Sequence, residues 1–380
     1  MGLPVLKGRL AITKSLKKDG HKMDELKKTP LYEAHIALGG KMVDFGGWAL
    51  PVQYSSIIEE HKAVRSCCGL FDVSHMGEVF VEGNSAFDYI QNLVTNDITT
   101  MTPGRCRYAV MCYPDGGAVD DVLIYKFADD RYMLVVNAAN TQKDIDWMKQ
   151  NAMGDVVIRD ESPLWAQLAL QGPKFEEVLR AAGYEGEIPA KNYTFTENNI
   201  VAGVKCLVSR TGYTGEDGVE LYCAAEDAMK LHAALMEAGK PIGMLPCALG
   251  ARDTLRFEAS MPLYGHEMSA KISPVECGVD FAIKFKKPAF IGRDELIKPA
   301  ARKRIGLKVV KGLAREHMPV EANGVEVGFT TSGGPAPSLG GNYAMALVDV
   351  NAPDDAEWTI DVRGRKLPCE KVELPFYKRG

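Results

Sequence analysis

The sequence predicts an α+β protein that closes with a separate, all-β unit. Three observations lead there. A strand–turn–strand pattern occupies 112–125 (CYPDGGAVDDVLIY). Helical and strand periodicities alternate as far as residue 300. Beyond Arg304 helical periodicity disappears, and turn signals at Asn323-Gly324, Ser332-Gly333-Gly334 and Gly340-Gly341 separate short strand-forming runs. That last region reads as a small β-barrel or sandwich, with its boundary in 298–303.

Composition bounds the rest. A chain of 380 residues can hold two or three domains, and 46% hydrophobic with 25% charged residues is ordinary for a globular protein. The 45 basic and 50 acidic side chains leave −5, which argues against nucleic-acid binding through bulk charge. Nine cysteines, an odd number with Cys67 and Cys68 adjacent and no CxxC, read as reduced thiols. The seven histidines show neither HxxxH nor HxH spacing, so no metal site is expected. No run approaches the ~18 apolar residues of a membrane span. Residues 1–18 carry five basic residues and no acid. That suits an organelle transit peptide, or an extension ahead of a start at Met23. Residues 1–25 are therefore set aside. A bacterial chain would be cytoplasmic, a eukaryotic one mitochondrial.

The elements follow in order. Thr29-Pro30-Leu31 opens a short helix ended by Gly39-Gly40, with Pro at an early helical position. A strand-and-loop segment fills 41–51. Ile57, Ile58, His61 and Val64 mark a helix over 55–66. Residues 69–81 (GLFDVSHMGEVFV) read as strand, and Asn84-Ser85 caps a helix through Leu93. Strands over 107–112 and 118–127 are joined by Pro114-Asp115-Gly116-Gly117, and a third runs over 132–137. Asn140-Thr141 caps the next helix. Strands at 164–170, 201–209 and 219–223 and helices at 174–182, 226–238 and 249–259 complete the region.

Three constellations could carry chemistry. Asp120 and Asp121 interrupt an apolar strand, near Tyr108, Tyr125 and Asn137 on neighbouring strands. Alternation puts Val119, Asp121, Leu123 and Tyr125 on one face and Asp120, Val122 and Ile124 on the other. Both faces are apolar, so at least one carboxylate is poorly hydrated, and it is either bonded structurally or used. The second constellation is 213–220 (YTGEDGVE). It lacks the Gly-Lys-Ser/Thr of a phosphate loop and carries three acids. Glu216 and Asp217 read as a solvated turn. Glu220, in a strand on the Tyr222 face, suits a ligand that presents paired N–H donors, such as an aminopyrimidine edge. The third is the helix over 249–259 (LGARDTLRFEA), where Arg252 and Arg256 share a side. They are either paired with Asp253 and Glu258 or hold an anion.

The strings KMVDFGGWALPVQY (41–54), GLFDVSHMGE (69–78), DGGAVDDVLIY (115–125), VVNAAN (135–140), SRTGYTGEDGVELY (209–222) and LGARDTLRFEASMPLYG (249–265) resemble the aminomethyltransferase, or T-protein, family of the glycine cleavage system. The resemblance extends over about 26–377. It implies a cloverleaf of three domains around a central folate channel: two interleaved folate-binding domains within 26–285, and a C-terminal β-barrel over 304–378. It implies transfer of a methylene carbon to tetrahydrofolate from an aminomethyl group on the lipoyl arm of H-protein, with release of ammonia. The catalytic aspartate of the family falls on Asp121. Its folate contacts fall on Tyr108, Tyr125, Asn137, Tyr213, Glu220 and Arg252. Met261 departs from an aromatic ring found in some members. Related readings are a folate-dependent demethylase of the sarcosine, dimethylglycine or sulfonium type, and a non-catalytic folate-binding relative. The chain shows neither the GxGxxG of a fused flavoprotein nor a KGCYxGQE-type signature.

Overall fold

The computed structural model describes residues 25–380. Apart from Glu25, the N-terminal extension expected over 1–25 lies outside the described residues. A helix (Tyr32–Ala37) leads into the hairpin of β1 (Met42–Phe45) and β2 (Trp48–Pro51). The helix Ile57–Ser66 starts at Ser56, whose Oγ accepts the Glu59 N–H at 3.2 Å. Then come β3 (Gly69–Asp72), β4 (Gly77–Glu82), the helix Ala86–Leu93, β5 (Arg105–Cys112), β6 (Ala118–Ala128), β7 (Arg131–Val136), the helix Thr141–Gln150 and β8 (Val157–Asp160). β9 (Trp165–Gln171), the helix Phe175–Ala181, β10 (Phe195–Val201), β11 (Val204–Ser209) and β12 (Gly218–Ala224) follow. The helix Ala228–Gly239, β13 (Leu245–Cys247) and the helix Leu249–Glu258 end this part. The last part comprises β14 (Arg302–Val309), β15 (Pro319–Ala322), β16 (Val325–Pro335), β17 (Asn342–Asp349), β18 (Trp358–Val362) and β19 (Arg365–Val372).

These strands form two large sheets and a barrel. One sheet has five strands in the order β5-β6-β7-β4-β8, the other six in the order β10-β11-β12-β9-β3-β13. β14 to β19 close into a barrel, β14-β17-β16-β15-β18-β19, as the loss of helical periodicity after Arg304 predicts. The two sheets share the chain unevenly: β3 belongs to the six-stranded sheet and β4, next in sequence, to the five-stranded one. The sequence predicts one strand across 69–81, and the structure breaks it. Asp72 Oδ1 accepts the Ser74 N–H at 2.9 Å and the Met76 N–H reaches the Val73 carbonyl at 3.1 Å. That pair of turns carries the chain between sheets.

Three further expectations change. The β5–β6 register skips Val119, a bulge that turns it to the face of Val122 and Ile124 rather than that of Asp121. The strand expected over 201–209 is a hairpin, because Ala202 (φ 52°) and Gly203 (φ 70°) turn the chain and the polar segment Phe195–Val201 pairs with β11. Ala is a poor turn signal, so the hairpin is hard to see in sequence. The Ser85 and Asn140 side chains do not cap their helices. Ser85 Oγ accepts the Asp155 N–H at 3.0 Å, and Asn140 turns to Asp120.

Packing explains the arrangement. The outer face of the six-stranded sheet buries Leu168, Leu170, Val208, Val219 and Leu221 under the helices Phe175–Ala181 and Ala228–Gly239. The outer face of the five-stranded sheet buries Val79, Val81, Val122, Ile124 and Leu134 under the helices Ala86–Leu93 and Thr141–Gln150. The inner faces meet through Phe80, Tyr125, Met133, Phe195, Leu207 and Tyr222. Burying each large apolar side chain contributes about 1.5–3 kcal/mol. This apolar joint sets how the two sheets face each other, and the polar site opens beside it.

Candidate functional site

The site begins on β6. Asp120 and Asp121 point to opposite faces of the sheet, and Asn137, just past β7, joins them. Its Nδ2 donates to Asp120 Oδ1 and to Asp121 Oδ1, both at 2.9 Å, and its N–H donates to Asp120 Oδ2 at 3.0 Å. Asn140 Nδ2 adds a donor to Asp120 Oδ1 at 2.8 Å. Asp120 is thus a fully buried carboxylate with three of its about four acceptor positions filled. Asp121 is held more lightly, by Asn137 on Oδ1 and by the Tyr108 hydroxyl on Oδ2 at 3.0 Å. Enclosure, and next the charge of Asp120, push its pKa up to about 7, against the opposing pull of Tyr108 and Asn137.

The facing wall comes from the six-stranded sheet. Glu220 on β12 is 5% exposed. Thr211 Oγ1 donates to its Oε2 at 2.5 Å and Gln167 Nε2 to its Oε1 at 3.1 Å. Burial raises its pKa, opposed by Thr211, the charge of Arg252 and Gln167. Behind it runs a buried chain of polar groups: Gln167 Nε2 donates to the Tyr222 hydroxyl at 2.9 Å, which meets the Tyr125 hydroxyl at 2.9 Å, which meets Ser209 Oγ at 3.1 Å. Tyr125 is wholly buried and sits behind Glu220 in this chain. A carboxylate has about four acceptor positions and Glu220 fills two. Gln167 Oε1, beside it, is buried with no donor. Two adjacent acceptors left open suit a ligand edge carrying neighbouring N–H groups.

The third wall is the helix Leu249–Glu258. The Arg252 guanidinium lies 4.7 Å from the centre of the Tyr213 ring, and the Tyr213 hydroxyl is fixed by the Pro262 carbonyl. Among the described residues no carboxylate pairs with Arg252, although the charge of Glu220 reaches it. Arg256, four residues on, is structural: it pairs with Asp253 at 2.7 Å and with Glu267 at 3.0 Å, and bonds Ser332 of the barrel at 3.1 Å. The expected pair with Asp253 is present. Glu258 instead meets Arg65 and His61, both at 3.1 Å.

The acidic turn is not solvated either. Glu216 pairs with Arg65 at 3.0 Å with its side chain 3% exposed, and accepts from the Tyr377 hydroxyl at 2.7 Å. Asp217 takes both Arg210 Nε at 2.8 Å and Nη2 at 2.6 Å. Arg65, distant in sequence, and Arg210, at the start of the same loop, supply the charges that let this turn fold inward.

Tyr108, Asp121, Tyr213 and Arg252 share one property. Protein encloses each on nearly every side, yet each keeps part of its surface open. Partial exposure inside dense enclosure points to an interior hollow beside all four. The Asp121 charge acts on Tyr213, the Tyr213 ring lies against Arg252, and the Arg252 charge acts on Glu220. All seven residues expected from sequence thus meet around this hollow or directly behind its wall. Sequence reasoning missed Gln167, Asn140 and Asp144. Each carried a faint signal, being a polar residue in an apolar strand, at a helix start, or on the buried stripe with Ile145 and Met148.

Residues 31–287 match the family described as GCVT N-terminal domain, and residues 302–378 the glycine cleavage T-protein C-terminal barrel domain. An aminomethyltransferase of Geobacillus sp. (strain WCH70) is 50% identical over 362 residues, 93% of this chain and 100% of that protein. One from Halalkalibacterium halodurans is 51% identical over 364 residues, 94% and 100%. Among solved structures, glycine cleavage system aminomethyltransferase T from Bartonella henselae superposes with a TM-score of 0.85 at 31% identity, over 93% of this chain and 98% of that one.

Proposed function

This chain belongs to the glycine cleavage T-protein family, and from that premise we propose that it is a tetrahydrofolate-dependent aminomethyltransferase acting through Asp121. It carries the methylene carbon from an S-aminomethyl-dihydrolipoyl group on H-protein to tetrahydrofolate, releasing ammonia and giving 5,10-methylenetetrahydrofolate. The folate supplies the nitrogen nucleophiles that take up the carbon. The site suits such a molecule: Glu220 keeps free acceptor positions for the pterin edge, while Tyr213 and Arg252 offer a flat cationic wall.

Asp121 is the observation that carries the reading. As the carbon–sulfur bond breaks, positive charge develops on the aminomethyl carbon, and a nearby carboxylate stabilises it. The attacking amine must also lose a proton. A carboxyl whose pKa lies near neutrality takes and returns a proton with little penalty, which an ordinary aspartate does not. Tyr108 and Asn137 hold Asp121 in one orientation for both tasks. The hollow keeps bulk water from competing for the carbon.

The test is ammonia release by the purified protein with lipoylated, aminomethyl-loaded H-protein and tetrahydrofolate. Turnover that requires both supports the reading. Turnover on free methylamines without H-protein would instead indicate a demethylase, and folate binding without turnover on any donor a non-catalytic relative.

A further inference from the structure

Asp144 lies one turn into the helix Thr141–Gln150, completely buried, with its carboxyl against that of Asp120. Neither of its oxygens has a hydrogen-bond donor. Lys143 is the nearest cation at 3.7 Å, and its Nζ is committed to the Val119 carbonyl and to the Tyr264 hydroxyl at 3.1 Å. The ionisable groups facing Asp144 are Asp120 and Asp121 on β6, Lys143 on its own helix and Tyr264 just after the helix Leu249–Glu258. Two touching buried carboxyls cannot both be ionised. One must hold a proton and donate it to the other. Asp120 already accepts three hydrogen bonds from Asn137 and Asn140, which favour its charged form. Asp144 accepts none. The helix N-terminus favours a charged Asp144, but that modest pull acts against full burial without a partner.

Building on the assignment of Asp121 above, we propose that Asp144 is a positioning residue for the transfer reaction: a neutral carboxylic acid that donates its proton to Asp120, keeping Asp120 ionised. Asp120 in that state does two things for Asp121. It orients the Asn137 amide that bonds Asp121 Oδ1, and its negative charge raises the proton affinity of Asp121. The shared proton never leaves the Asp144–Asp120 pair during turnover. It sets the affinity of the carboxyl that does exchange one. Burial drives the proton affinity of Asp144 upward to about 11, with Asp120 the next cause, so the pair stays singly protonated across the working range.

The test has two arms. Infrared spectra of the ligand-free protein well above pH 7, where Asp121 is ionised, with and without ¹³C-labelled aspartate, should show the carbonyl stretch of a protonated aspartate that Asp144→Asn removes. A band unchanged by Asp144→Asn, or no such band in the parent, overturns the proposal. This arm needs no substrate, so its failure is separate from failure of aminomethyl transfer. In the second arm, Asp144→Ala should move the acidic limb of the kcat profile to higher pH. Without its donor Asp120 holds the Asn137 amide less firmly, and Asp121 loses part of the hydrogen bond that favours its charged form. Asp144→Asn, whose amide can still donate to Asp120, should bring the limb back toward the parent. Identical limbs in the Ala and Asn variants would overturn the positioning role even if the band is present. Should Asp144→Ala fail to fold, the infrared arm and the Asn profile still decide.

Discussion

Asn137 donates one amide hydrogen to Asp121 at 2.9 Å and the other to the neighbouring Asp120. A side chain just past one strand thereby sets the orientation of a carboxylate on the next. Asp121 combines a fixed direction, an open face toward the hollow, and a proton affinity near neutrality.

Asp121→Asn should lower turnover by about 10²-fold or more, the size of a general acid–base contribution. Folate affinity should change little, because Glu220 and Arg252 lie apart from this carboxylate. Steady-state kinetics paired with calorimetric folate titration measure both, and near-normal kcat would remove Asp121 from the chemistry.

The same substitution should stabilise the protein above neutral pH. The pKa of Asp121 is raised in the fold, so the stability tied to its neutral form is complete below the ordinary aspartate range and is lost as pH rises through about 7. Asparagine does not ionise and escapes that loss. The melting temperature of Asp121→Asn relative to the parent should climb between about pH 4 and pH 7 and level off above. A difference independent of pH would contradict the raised pKa.

Tyr108→Phe should shift the acidic limb of kcat to higher pH. The Tyr108 hydroxyl donates to Asp121 and so favours its charged form; removing it raises the pKa further. A limb that stays in place, or moves down, would show that this bond does not tune Asp121.

Glu220→Gln should weaken folate binding by about 10- to 100-fold, since a charge-assisted hydrogen bond contributes about 1.5–3 kcal/mol. Turnover at saturating folate should fall far less than in Asp121→Asn. An unchanged dissociation constant would place the pterin edge elsewhere.

Arg65→Ala should cost stability rather than chemistry. Arg65 joins Glu216 and Glu258, lies 3.9 Å from the Tyr377 ring and is 9% exposed along its side chain. Its loss removes the arginine shared by two buried carboxylates that keep only His61, Ser338 and Tyr377, a defect that costs up to about 3–5 kcal/mol. Denaturant unfolding should report it, and a loss under 1 kcal/mol (roughly that of a surface pair) would mean the cluster relaxes.

Much of this was legible in the residues. Alternation along 118–127 separated Asp120 from Asp121 onto opposite faces, and strand placement distinguished Glu220 from the turn acids. The strings that resemble T-proteins pointed to the family. Other features depended on distant partners. Glu216 looked solvated because nothing nearby reveals Arg65, which comes from a helix about 150 residues earlier. Arg252 and Arg256 looked equivalent until Glu267 and Ser332 claimed one and the Tyr213 ring faced the other.

The sequence by itself determined most of the strands and helices, the loss of helix in the last part of the chain, and that acids sit within apolar strands, because these depend on short-range periodicity and turn chemistry. The tertiary structure alone decided which acid is neutralised by partners and which keeps an open face, and that Asp144 meets Asp120. Burial and proton affinity depend on what is packed within a few ångströms, and here those neighbours come from another strand, another sheet or the barrel.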